Sequence, residues 1–218
     1  MKDVRVWFTK DKEARYISHL DLNRTMLRAI THANIPVWHT EGFNQHPFIT
    51  FALPLSLGFR GAKETMDTKL IDDISEQEIV KRLNASLPQG IRIYKVTEPV
   101  MKPGKISYAQ FDIKLTSDDV TLEELYGMVN NLFALDEIMV EKKSKKGIKE
   151  VDLKEHFCKY TIKKELNDVS INIVLPAGST ENLNPSLIIK ALEKLNEIEV
   201  FQDITRLDIF NENVESFE

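Results

Sequence analysis

Three short segments, Ser18-x-x-Asp21, Ser75-x-x-Glu78 and Thr121-x-x-Glu124, each stand immediately before apolar residues at helical spacing. A hydroxyl followed three residues later by an acid satisfies the free N–H groups that open a helix, so each marks a helix start. Strands are expected between them. Val4, Val6 and Phe8 alternate with Arg5, Trp7 and Thr9, the period-two pattern of a strand with two unlike faces. After the charged turn Asp11–Glu13 the chain extends through Arg15-Tyr16-Ile17 to the first cap. Leu22, Met26, Ala29, Ile30 and Ala33 then recur as the inward stripe of a helix that Asn34 and Pro36 close. A short strand, Val37–Thr40, an extended segment, Phe48–Leu53, and a strand, Thr65–Ile71, lead to the second cap. Its helix turns Ile79, Val80 and Leu83 inward, and the strand Ile91–Val96 follows.

Pro99, Pro103 and Gly104 punctuate a linker, after which the order repeats. Tyr108–Leu115 is a strand and the third cap opens a helix to about Leu135. A strand, Ile138–Glu141, runs into a lysine-rich excursion, Lys142 to Lys149. Phe157–Glu165 and Val169–Leu175 pair about Leu166-Asn167-Asp168. Asn184-Pro185 opens a helix through Leu195, and Val200–Phe210 is the last strand. The expected fold is α+β: two tandem ferredoxin-like (βαββαβ) halves, residues 1–98 and 106–218, with antiparallel sheets.

Charge is uneven. The first hundred residues carry 14 Lys+Arg against 12 Asp+Glu, and the remainder 15 against 22, so a polyanion would meet the first half more readily. The single cysteine, Cys158, excludes an internal disulfide or a thiolate metal cage, and its apolar-aromatic surroundings (Phe157, Tyr160) read as a small buried side chain. No apolar run approaches the length of a bilayer crossing, and the N-terminal residues interleave charges with apolar groups, unlike a secretory signal. The cytoplasm is the expected location.

The groups able to do chemistry concentrate between Arg15 and Pro47, which holds His19, His32, His39 and His46, four of the five histidines. Arg15, His19, Asp21, Arg24, Glu41, Asn44 and His46 form the candidate ligand-binding set. His19 falls at a helix N-terminus, where free N–H groups favour an anion, and Arg15 and Arg24 flank it. If the turn Glu41-Gly42-Phe43-Asn44-Gln45-His46-Pro47 folds back over that terminus, Asn44 and His46 join the site. Histidines there would serve as acid or base near neutral pH, which makes His19 and His46 the candidate catalytic residues. A plain structural reading stands beside this one: Ser18 and Asp21 are explained as a cap, and Arg24 and Arg28 as a solvated face.

His19, Asp21, Glu41 and His46 are acceptable metal-ligand types, but no pair has a diagnostic spacing, and no metal or other cofactor is assigned. RNA is a further possibility: a sheet face carrying Trp7 beside Arg5 would stack bases, and the lysine excursion would hold phosphates. The glycine-rich loops of nucleotide-cofactor enzymes and NTPases and the nucleophile elbow of serine hydrolases do not occur.

Phe8-Thr9-Lys10, Tyr16-Ile17-Ser18-His19-Leu20-Asp21-Leu22, Ile35-Pro36, Glu41 to Pro47 and Phe51-Ala52-Leu53-Pro54-Leu55 resemble the radical SAM-linked protein family. Gln45 stands where that family usually has proline. The resemblance implies a partner, a radical SAM protein with an iron–sulfur cluster, since this chain lacks the cysteines to hold a cluster itself. It leads to an accessory or binding protein that presents RNA (tRNA or rRNA) for modification. The alternative is a stand-alone RNA-cleaving or phosphate-handling hydrolase using His19 and His46. Tandem ferredoxin-like halves are also similar to endoribonucleases that process CRISPR RNA, but those have a glycine-rich loop near the C-terminus, and no glycine follows Gly178 here.

Overall fold

A computed structural model describes residues 1–144, 147–178 and 181–218. The fold is α+β, with four α-helices among the described residues. The chain divides into two compact units, one of Met1–Ile106 with Arg206–Glu218, the other of Ser107–Thr205.

In the first unit the alternation of the opening strand continues past its apolar residues. β1 (Lys2–Lys10) places Val4, Val6 and Phe8 on the core side, and Lys10, next in the same period, is buried with them. A 3-10 turn, Lys12–Tyr16, occupies a stretch expected to be extended in part; the Asp11 side chain caps it by accepting the Lys12 N–H. α1 (His19–His32) begins where the Ser18 cap predicts and buries Leu22, Met26, Ala29 and Ile30. Asn34, just beyond it, lies at φ +49°, a left-handed position that asparagine tolerates. The short strand expected at Val37–Thr40 is reduced to isolated bridges, Val37 to Leu70 and His39 to Pro47. β2 (Ile49–Phe51) pairs with β3 (Arg60–Leu70), which starts earlier than its apolar residues indicate. α2 (Glu76–Ser86) and β4 (Ile91–Thr97) complete the set. The strand order is β4-β1-β3, with β2 beside β3 and every pairing antiparallel. One sheet face, α1 and α2 share a core of Val6, Phe8, Met26, Ile30, Met66, Ile79, Leu83 and Ile93, among others.

In the second unit β5 (Tyr108–Thr116) leads to α3 (Leu122–Ala134), whose cap is the full reciprocal box between Thr121 and Glu124. At Ser18 and Ser75 only the hydroxyl half is seen; Asp21 accepts from the Ser18 hydroxyl, and Glu78 from Arg82. β6 (Met139–Ser144) and β7 (Gly147–Asp152) form a separate hairpin that sets Lys142 opposite Lys149. Two lysines of the excursion, Lys145 and Lys146, lie outside the described residues. β8 (Lys159–Lys164) and β9 (Val169–Pro176) pair as expected, giving the order β5-β9-β8. α4 (Ser186–Asn196) follows Pro185, and β10 (Phe201–Phe210) starts in this unit and ends in the first.

Cys158 corrects the expectation of a buried thiol: it is exposed. Phe157 and Tyr160 turn instead to Phe133, with ring centroids 4.9 and 4.8 Å away, which leaves the cysteine outside that cluster. No helix among the described residues is long and apolar enough to cross a membrane.

Candidate functional site

Strand β1 and the Ser18 cap fix the start of α1, and His19 occupies its first position. The imidazole meets the Phe51 ring edge-on at 5.1 Å, and Phe51 meets Phe8 at 6.0 Å, so β2 ties His19 to the core. Lys10 lies beneath. Its ammonium is buried and donates to the carbonyls of Arg15 (3.3 Å) and Ile17 (3.0 Å), the last residues before the cap. Burial lowers the Lys10 pKa, opposed by Glu64. Burial, and then the positive Lys10, lower the His19 pKa below its ordinary 6.5, so His19 is neutral at pH 7. Arg15 points elsewhere, its Nε donating to the Gly58 carbonyl at 2.8 Å, while the Gly58 N–H returns a bond to the Arg15 carbonyl. Asp21 accepts from the Ser18 hydroxyl at 2.7 Å and pairs with Arg24 at 3.4 Å, both exposed.

The turn from Glu41 to His46 is exposed and closes on itself. The Thr40 N–H donates to the His46 carbonyl, and the His46 N–H to the Thr40 hydroxyl. The His46 ring lies with Nδ1 3.0 Å from the Pro47 carbonyl. Among the described residues no hydrogen bond, ion pair or ring contact joins Glu41, Asn44 or His46 to His19 or Arg24. The structure therefore sets Lys10 close enough to His19 to act on it, turns the Arg15 side chain to Gly58, pairs Asp21 with Arg24, and gives the turn its own bonds. Three-ligand groupings of His, Cys, Asp or Glu fit for a metal are absent among the described residues.

The surface over this framework is apolar. Tyr16, Leu20 and Leu57 are 68%, 59% and 64% exposed, and the Arg15–Gly58 backbone pairing sets Tyr16 beside the Leu57 segment. Phe43, at the tip of the turn, is fully exposed. Large side chains bared on segments whose backbones are pinned suit contact with another molecule.

The opposite sheet face of this unit corrects the RNA reading of Trp7 and Arg5. Trp7 is 3% exposed and Arg5 is 0% exposed, so neither is open to a base. Arg5 holds Asp67 in a two-pronged pair at 2.7 and 2.8 Å, with the Phe217 ring 4.1 Å from the guanidinium carbon. Trp7 donates to the Thr97 hydroxyl between Lys63 and Lys95, whose ammonium groups lie 5.4 and 5.5 Å from its ring.

The model of a protein family matches residues 3–185, most of the chain. The chain belongs to that family, described as uncharacterised proteins conserved in bacteria (DUF2344). A search of curated proteins returned no match. Similar solved structures include an unknown protein from Galdieria sulphuraria, 9% identical, covering 93% of this chain and 98% of that one at a TM-score of 0.27. Another is a protein named as a candidate glycine cleavage system transcriptional repressor, 10% identical, covering 94% and 98% at a TM-score of 0.23. At these scores neither likeness carries weight for fold or function.

In this family member the sequence reading misses the buried charges. Glu64 and Arg206 are both buried and joined through Arg206 Nε at 3.0 Å and through Nη2, while the guanidinium also donates to the Leu53 and Pro54 carbonyls. Lys10 had a local signal, since it continues the Val4–Val6–Phe8 period. Arg206 had none, because its partners lie far away in the chain.

Proposed function

We propose that this chain is a binding module, an accessory to a radical SAM enzyme, and that the surface around the start of α1 is where the partner docks. The observation carrying this reading is the exposure of Tyr16, Leu20 and Leu57 on a rigid framework. The His19 imidazole is neutral and packed on Phe51, a state suited to holding a surface in shape. Hydrolysis by His19 and His46 has less support, since no contact joins them and His46 lies against its neighbour's carbonyl. We further infer a cytoplasmic location, RNA as the presented substrate, and two tandem ferredoxin-like halves. The strand orders β4-β1-β3-β2 and β5-β9-β8, each with two helices, support the last point.

The test is co-purification of this chain with a radical SAM protein from the same cells. Retention by the wild type and its loss in a Leu20→Ser, Leu57→Ser variant is the expected result. A wild type that retains no such protein overturns the reading, and retention unchanged by the variant moves the docking surface elsewhere.

A further inference from the structure

In the second unit α4 and the chain entering β6 lie side by side, and each carries a patterned run of side chains. On α4, Leu187, Lys190, Ala191, Lys194 and Leu195 fall at steps of three and four, one stripe of the helix. On the strand side Glu137, Met139 and Glu141 alternate with the buried Ile138 and Val140. A groove runs between the two, formed by clefts of ≈ 390 and 260 Å³ that meet at Met139, Ala191 and Lys194. Glu141 lines one cleft with Leu187 and Lys190; Glu137 lines the other with Leu135 and Leu195.

The middle of this groove is apolar and open. Leu135, Met139 and Leu195 are 41%, 50% and 53% exposed. Its rims are charged with opposite sign, lysines along the helix and glutamates along the strand. Charged neighbours on the same elements have partners, Lys142 at the Asn182 carbonyl and Glu193 at the Val200 N–H. Lys190, Lys194, Glu137 and Glu141 make no hydrogen bond or ion pair among the described residues, although each lysine shares a cleft with an acid.

We propose that this groove is the contact surface of a homodimer, with a second copy of this chain as its occupant. A groove rimmed by one sign of charge would call for a partner of the other sign. One rim of each sign calls for a partner carrying the same two rims reversed, which the chain itself supplies. A two-fold axis running along the groove carries each helix rim onto the other copy's strand rim. Lys194 then meets Glu137 of the second copy and Lys190 meets its Glu141, each pair made twice. The same operation lays Met139 over the second copy's Ala191, a long side chain over a short one. An apolar centre with a charged rim is the usual anatomy of a protein interface, and the rim pairs set its register. The groove belongs to the second unit and the surface proposed for the radical SAM partner to the first, so the two readings stand or fall separately.

Sedimentation velocity on the full chain, across a concentration series, tests this. The wild type is expected to pass from monomer to dimer as concentration rises. Lys194→Glu sets two acids together at each end of the axis, and Glu137→Lys sets two lysines together; each is expected to weaken dimerisation roughly tenfold or more. An equimolar mixture of the two variants restores opposite charges in both pairs, and is expected to dimerise within about threefold of the wild type. Both positions are exposed, so circular dichroism should be unchanged in either variant. A wild type that stays monomeric at every concentration overturns the proposal. So does a dimer indifferent to both substitutions, which places the contact on another face. A mixture of folded variants that stays monomeric overturns the two-fold pairing of the rims.

Discussion

Removing Arg206 should be the most damaging single change in the first unit. Arg206→Met keeps the length and apolar stem but leaves Glu64, 4% exposed, as a buried carboxylate without its paired cation. Breaking a buried pair from one side costs about 3–5 kcal/mol. It also strips donors from the Leu53 and Pro54 carbonyls, which Arg206 now satisfies at 2.8 and 3.1 Å. Adding Glu64→Leu removes the stranded charge but not the two bare carbonyls, each worth about 1 kcal/mol. The double variant should therefore recover only part of the loss and remain about 2 kcal/mol below the wild type. Both tryptophans, Trp7 and Trp38, belong to the first unit, so urea unfolding followed by their fluorescence reports this unit alone. A loss under about 1 kcal/mol for Arg206→Met, or a double variant no better than the single, would refute the assignment of a tightly coupled buried pair.

Gly61→Ala should cost about 1–3 kcal/mol through overpacking. The added Cβ would fall 2.5 Å from Glu64 side-chain atoms that Arg206 pins in place, and the same fluorescence assay should show a smaller penalty in a Glu64→Ala background. His19 should make stability depend on pH. Its folded pKa is below the ordinary 6.5, so the unfolded chain takes the proton first, and stability falls as pH drops through 6.5 toward the folded value, then levels off. Urea midpoints at pH 7.5 and 5 should diverge more in the wild type than in His19→Gln; parallel profiles would show that His19 is not held neutral.

What the sequence made legible was local. The Ser18 and Thr121 caps announced α1 and α3 because a cap acts within one turn, and the β8–β9 hairpin was set by the turn at Leu166–Asp168. Val37–Thr40 failed as a strand because pairing depends on where a neighbour runs: Leu70 meets Val37 and Pro47 meets His39, each only as an isolated bridge. The candidate site divided along the same line. His19 at the head of a helix could be foreseen, while the course of the Glu41–Pro47 turn could not, since its bonds to Thr40 appear only when the loop closes. Arg5 seemed exposed because its cover, Phe217, is at the far end of the chain, and Trp7 because Lys63, Lys95 and Thr97 close on it from strands far along the chain.

That distance has a consequence for synthesis. Glu64 must wait 142 residues for Arg206, so a nascent chain that has already made every helix of the first unit still carries an acid at its centre without its paired cation. Loop closure over such a span is slow relative to helix formation. A ribosome stalled before the last strand would hold a half-built unit, a natural client for chaperones and proteases.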